Sequence, residues 1–263
     1  MNRLSEVFKN KSRHILSLYC TAGFPHLDST IEVMKALQEN GADMIELGIP
    51  YSDPLADGPV IQHSNSVALK NGMTIKKLFE QLNGFRQSPS FGGVGEAIPV
   101  LLMGYMNPIL QYGFEKFCAE AAAAGIDGLI LPDLPEHEFE TEYGAVIKKY
   151  GLDFVFLVTP EISEERIKKL DELSSGFLYA VSSSSITGNN KDFSEVEKYL
   201  QRLKNMQLKN PLLVGFGIRD KQTFQSACKF ANGAIIGTAY IKAIENAQDV
   251  KVATQSFLSS ILQ

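Results

Sequence analysis

The chain has 263 residues, 44% of them hydrophobic, and a formal net charge of −5. That length suits one large domain or two small ones with a sizeable core, and the acidic balance argues against nucleic acid or an anionic membrane surface as the main partner. The three cysteines, Cys20, Cys118 and Cys228, stand far apart, which excludes a disulfide framework and a metal-ligand spacing.

Leu4, Val7 and Phe8 at helical spacing predict a short amphipathic helix ahead of the main fold. A first strand over 15–20 breaks at Thr21-Ala22-Gly23-Phe24-Pro25, and Asp28 is the expected N-cap of a helix over 29–39 that Asn40-Gly41 ends. The second strand carries Glu46 and runs out into a loop with two aspartates and three prolines. Helices near 60–70 and 74–86 follow, then a low-complexity loop over 87–95 and a third strand over 99–105. Helix 114–124 with its alanine face, strand 128–131, helix 136–149 and strand 154–158 continue the alternation. Ser163 caps a helix reaching 173 and places acids in its first turn. Strand 177–181, a polar loop over 182–192 and a helix to about 205 come next. Strand 212–214, a helix opened by Asp220, strand 233–236 and C-terminal helices from Thr238 complete the chain.

Eight apolar, β-branched strands alternating with helices imply parallel strands covered on their outer face. With no composition break to divide the chain, this gives one α/β domain over residues 1–263. Its expected fold is a (β/α)8 TIM barrel with a short N-terminal helix and extra helices after strands two and eight. The polar N-terminus has no apolar signal core, and no apolar run reaches bilayer length, so a cytoplasmic protein is expected.

Two sets of residues stand out against that barrel. Met44, Glu46 and Gly48 share one face of strand two, while Ile45 and Leu47 take the other. With the apolar pair under helices, Glu46 points into the interior, where a carboxylate is costly unless it has a partner or a task. A structural ion pair is the plain alternative, but the nearest cations in sequence, Lys35 and Lys70, fall on predicted surface helices. The second set is glycine-rich: Thr187-Gly188 after strand six, Gly215-Phe216-Gly217 after strand seven and Gly237-Thr238 after strand eight. Backbone N–H groups in these loops and a helix opening at Thr238 suit a phosphate at the end where barrels bind ligands. No Walker-type loop and no dinucleotide fingerprint is present, which argues against a nucleotide.

The loop Glu46-Leu47-Gly48-Ile49-Pro50-Tyr51-Ser52-Asp53-Pro54-Leu55-Ala56-Asp57-Gly58-Pro59 resembles the signature of the tryptophan synthase alpha subunit family. The resemblance extends to Thr21-Ala22-Gly23, Met103-Gly104-Tyr105-Met106-Asn107-Pro108, Pro132-Asp133-Leu134-Pro135, Ile186-Thr187-Gly188, Gly215-Phe216-Gly217-Ile218 and Gly237-Thr238-Ala239, in order over essentially the whole chain. It implies a (β/α)8 barrel and a lyase that cleaves indole-3-glycerol phosphate to indole and glyceraldehyde 3-phosphate. By match to the motif, Glu46 would be the acid/base and Asp57 would accept a hydrogen bond from the indole N–H. Thr187 would hold Asp57, and Tyr179, Tyr105 and Phe216 would line the cavity. Gly188, Gly217, Gly237 and Thr238 would give backbone donors to the phosphate. No metal and no cofactor is implied in this chain. The implied partner is a beta subunit that uses pyridoxal phosphate to join indole to L-serine, in an alpha2beta2 tetramer.

Two positions depart from the family pattern. Ser183 and Ser185 replace an arginine and a glycine of the sixth loop, which touches on loop closure. Phe24 stands before Pro25 where an aspartate is frequent, which touches on partner contacts. A stand-alone lyase releasing free indole would share the chemistry, and a non-catalytic regulatory subunit would bind the ligand without cleaving it. A sugar-phosphate isomerase barrel fits poorly, because strands one and five end in Tyr19-Cys20-Thr21 and Val158-Thr159-Pro160 without a carboxylate.

Overall fold

The computed structural model describes residues 3–87, 91, 97–181, 193–215 and 217–263. Among them nine strand segments form one parallel sheet: β1 (Ile15–Thr21), β2 (Met44–Gly48), β3 (Val100–Met103), β4 (Gly128–Ile130), β5 (Asp153–Phe154), β6 (Leu157–Val158), β7 (Leu178–Ala180), β8 (Leu212–Val214) and β9 (Gly233–Ile236). The order β5-β4-β3-β2-β1-β9-β8-β7-β6 begins and ends on segments separated only by Val155-Phe156. These are two halves of one strand. Val155 N–H donates to Leu129 O on one side at 3.1 Å, and Phe156 O accepts from Tyr179 N–H on the other at 3.0 Å. The eight expected strands therefore close into a barrel, and the fifth bends between its neighbours to do so.

The helices wrap the outside: α1 (Arg3–Asn10), α2 (Ser29–Glu39), α3 (Pro59–Lys70), α4 (Ile75–Leu82), α5 (Met106–Tyr112), α6 (Phe114–Ala124), α7 (Glu136–Glu138), α8 (Gly144–Lys149), α9 (Glu164–Leu173), α10 (Phe193–Asn205), α11 (Lys221–Ala227), α12 (Thr238–Ile244) and α13 (Val250–Leu262). Their starts follow local chemistry. Thr74 caps α4 by accepting from Lys77 N–H, Ser163 caps α9 by accepting from Arg166 N–H, and Asp220 forms a capping box with Thr223 at α11.

Strand alternation sorts the core into two layers. Ile15, Met44, Leu101, Ile130, Val155, Phe177, Leu213 and Ile235, one from each strand position, fill the interior together with Leu4 of α1, which stoppers one end. Leu16, Leu18, Ile45, Leu47, Leu102, Leu129 and Leu178 face outward under the helices. Every residue of β1 and β2 is buried, as strands covered on both faces must be.

Local expectations are corrected at four points. Asp28 holds the N-cap position of α2 but makes no side-chain cap bond; its backbone (φ −91°, ψ 4°) is not extended, and Ser29 N–H is taken by His26 O. The helix expected over 74–86 ends at Leu82, with a 3-10 turn over Phe85–Gln87. The helix expected over 136–149 carries a π-turn at Phe139–Tyr143 between α7 and α8. Helix α5 was not expected at all. Its first N–H, on Met106, donates to both carboxylate oxygens of Asp133 at 3.0 Å, a cap supplied by the loop after β4 that no local pattern announces. Phe24, expected to bear on partner contacts, has its ring buried in the outer core layer (1% exposed).

Candidate active site

Glu46 lies on the interior parity of β2, in register with Tyr19 of β1 and Leu101 of β3. It is fully buried. Ser17 of β1 donates a 2.9 Å hydrogen bond from Oγ to its Oε1, whereas Oε2 has no hydrogen-bond partner among the described residues. No cation pairs with it among those residues; Lys35 and Lys70 sit on α2 and α3, outside the barrel. Burial pushes the Glu46 carboxyl up to about 8, with the Ser17 bond working in the opposite direction. The group is thus held neutral at pH values where an exposed glutamate is ionised.

Asp57 stands on the loop that leaves β2. That loop is shaped by its own turn, with Asp57 N–H donating to Pro54 O at 3.0 Å, and Gly58-Pro59 then starts α3 with proline at the first helical position. Tyr105, just past β3, donates from Oη to Asp57 Oδ2 at 2.9 Å and accepts from Ala56 N–H at 3.1 Å. Tyr51 packs its ring on Tyr105 at a centroid distance of 5.3 Å, and Asn107 donates to the Tyr51 hydroxyl at 3.1 Å. Burial pushes the Asp57 carboxyl up to about 6, opposed by the Tyr105 bond. Both carboxyls are therefore raised above the usual carboxylate range by burial, Glu46 further than Asp57.

Tyr19, in register with Glu46, and Tyr179 are the buried phenols close enough to feel these charges. The interior position expected for Tyr179, in line with Phe177, is observed, and its phenol is raised well above the usual range by burial, with the charges of Glu46 and Asp57 acting in the same direction. The Tyr19 phenol is raised by burial and by Asp57. Both rings need a missing side chain opposite: a Cβ on Gly48 would overlap the Tyr19 ring, and a Cβ on Gly215 would overlap that of Tyr179. Gly215 is thus explained by packing, whatever else its loop does.

Of the remaining expected site residues, Gly217 lies past β8 with φ +62°, and Gly237 lies past β9 and caps the exposed start of α12 at Thr238. A Cβ on Gly237 would sit 3.4 Å from Tyr19 Cβ, so the glycine is not required by crowding. Thr187, Gly188 and Phe216, with Ser183 and Ser185, lie outside the described residues. Ser17, Tyr19 and Tyr51 were not singled out from the sequence. The signal for Ser17 was available: it is a small polar residue between Ile15 and Tyr19 on the interior parity of β1. No cluster of three or more His, Cys, Asp or Glu residues able to hold a metal occurs among the described residues, and none of their helices is long and apolar enough to cross a membrane. A groove of about 860 Å³ between α9 and α10, lined by Lys168, Glu197 and Arg202, lies outside the barrel and holds neither carboxylate.

A family model for the tryptophan synthase alpha chain matches residues 6–261. The tryptophan synthase alpha chain of Flavobacterium johnsoniae is 49% identical over 99% of this chain and 100% of its own length. That of Bacteroides thetaiotaomicron is 46% identical over 96% of both. The crystal structure of tryptophan synthase subunit alpha from Legionella pneumophila superposes with a TM-score of 0.88 at 36% identity, covering 99% of this chain and 97% of the other.

Proposed function

The chain belongs to the tryptophan synthase alpha chain family, and from that premise we propose that this barrel cleaves indole-3-glycerol phosphate to indole and glyceraldehyde 3-phosphate, with Glu46 as acid/base and Asp57 as the charge-stabilising carboxylate. The observation that carries this assignment is a pair of carboxyls on the β2 strand and the loop that follows it, Glu46 fully buried with one oxygen bonded by Ser17 and the other unpartnered among the described residues, and Asp57 bonded by Tyr105, both raised by burial. Pairs of titratable groups pushed apart in this way mark an acid and a carboxylate that can work together.

The steps balance on those two groups. Neutral Glu46 gives its proton to C3 of the indole ring, which becomes a protonated indolenine with its positive charge on N1. Ionised Asp57 accepts the N1–H hydrogen bond and opposes that charge. The Glu46 carboxylate then takes the proton of the glycerol hydroxyl beside the ring. As that C–O becomes the aldehyde, the C–C bond breaks and its electron pair returns to the ring, quenching N1. Indole and the triose phosphate leave, and Glu46 is again protonated. No electron sink outside the substrate is needed, and Lys35, Lys70 and Lys76 stand on outer helices away from the interior.

The same reading covers the rest of the mouth. Tyr179 and Tyr105 border the indole cavity with Phe216; Thr187 holds Asp57 on closure; and Gly188, Gly217, Gly237 and Thr238 donate backbone N–H groups to the phosphate. Residues 1–263 act as one domain. Indole passes to a beta subunit that holds pyridoxal phosphate and condenses it with L-serine, in an alpha2beta2 tetramer, in the cytoplasm. A partner surface is supported by Leu55, which stands 89% exposed two residues before Asp57. The test is steady-state cleavage of indole-3-glycerol phosphate by the purified chain, with and without a beta subunit. Binding of the substrate without turnover in either mixture would overturn the lyase reading.

Two expectations attach to this chemistry. The pH profile of kcat/KM reports the free enzyme, so it is expected to be a bell. It falls below about pH 6 as Asp57 gains a proton and loses its charge, and above about pH 8 as Glu46 loses the proton it must give. A profile flat from pH 5 to 9 would contradict both roles. Separately, Gly237→Asp is expected to raise KM for the substrate by about tenfold or more through repulsion of the phosphate, while Gly237→Ala, which has room for its methyl, changes KM little. An unchanged KM in the aspartate variant removes Gly237 from the phosphate site.

A further inference from the structure

Glu46 is held asymmetrically. Its Oε1 receives the Ser17 hydroxyl, and its Oε2, equally buried, receives nothing among the described residues. A buried carboxyl oxygen without a partner is costly, and such an atom in a native interior calls for an explanation. Ser17 itself is fully buried on the interior face of β1, where an apolar side chain would otherwise sit among Ile15 and Ile235. Its hydroxyl donates its hydrogen bond to Glu46. Both oddities, a polar residue in an apolar interior and a half-satisfied carboxyl beside it, have one explanation.

We infer that Ser17 is a positioning residue for the proton-transfer step: by occupying Oε1 it fixes the rotamer of Glu46 and leaves Oε2 as the oxygen that delivers the proton to the ring carbon and receives the hydroxyl proton in return. This rests on the lyase reading of Glu46. A carboxyl free to rotate about its last torsion would present either oxygen, and a terminal sp³–sp² torsion has only broad, two-fold preferences of its own. The Ser17 bond removes that freedom. It also donates to the carboxyl and so favours the ionised form, which keeps the carboxylate left after the first transfer from being too strong a base to be reached. Among the described residues, Cys20 on β1 and Tyr179 on β7 both respond to the charge of Glu46, and Tyr179 responds to that of Asp57 as well. Among the described residues the side chain that donates a hydrogen bond to Glu46 is that of Ser17.

The test compares Ser17→Ala and Ser17→Cys with the parent and with Glu46→Gln. The alanine variant loses one oxygen and no carbon, and cysteine keeps a weaker donor. In Ser17→Ala, kcat is expected to fall by about tenfold or more, the scale of a hydrogen bond to a charged group, with KM within about threefold of the parent. The alkaline limb of the pH profile is expected to move upward by about one pH unit, because the bond that favoured ionisation is gone. Ser17→Cys should fall between alanine and parent on both readouts. A purely structural serine would change thermal stability and leave the alkaline limb in place, and that result overturns the inference. The underlying reading fails separately: if Glu46→Gln keeps parental turnover, Glu46 is not the proton carrier, whatever Ser17 does.

Discussion

Glu46→Gln is expected to lower kcat for indole-3-glycerol phosphate cleavage by about a thousandfold or more while substrate still binds. A single general acid/base is worth roughly 10²–10⁴ in rate, and in the proposed mechanism one carboxyl serves both proton transfers, so its loss removes both contributions. Glutamine preserves the shape of the side chain and can still accept the Ser17 hydrogen bond at its carbonyl oxygen. The substitution leaves the volume of the side chain and the proposed phosphate-binding residues unchanged, which is why the expected loss falls on kcat rather than on binding. Single-turnover kinetics together with equilibrium binding of the substrate separates the two. Turnover within tenfold of the parent would mean that protons travel by another route.

The second large effect is on stability, and it has the opposite sign. Glu46 is raised from 4.5 to about 8 by burial, so the folded chain binds its proton more tightly than the unfolded chain does. Below about pH 4.5 the carboxyl is protonated in both states and costs nothing extra. As pH rises towards 8 the unfolded state gains by ionising and the folded state does not, so this group's share of stability is progressively lost. Glutamine cannot ionise. Glu46→Gln is therefore expected to be more stable than the parent by on the order of 4–5 kcal/mol near pH 8–9, closing to little difference near pH 4.5. In a domain of this size that is a rise in melting temperature of about 10 °C or more at the alkaline end. Denaturant unfolding of the two proteins across pH 4.5–9 measures the gap. A gap independent of pH would show that burial does not hold the carboxyl neutral. The two expectations together describe a trade: the same desolvation that makes Glu46 a usable acid near neutrality destabilises the fold that holds it.

The repeat and the class of fold were legible in the sequence, and so was the inward direction of Glu46. Eight apolar runs spaced by amphipathic helices admit few arrangements, because parallel strands need helical crossovers and a cover on the outer face. Alternation along β2 was enough to turn Glu46 inward, since Ile45 and Leu47 had to meet the helices. What a local pattern could not carry is anything decided by residues far apart in the chain. The split of the fifth strand follows from closing the ring between β4 and β7. The start of α5 depends on Asp133, 27 residues away from the N–H that it accepts. Tyr105 appeared from sequence as a cavity-lining residue, and only the fold brings its hydroxyl to Asp57, 48 residues earlier. Ser17 reaches Glu46 because β1 and β2 pair in one particular register, and a slip of one residue would turn it to the opposite face. Periodicity tells which way a side chain points; which group it then meets is set by register and closure, and those are properties of the whole barrel.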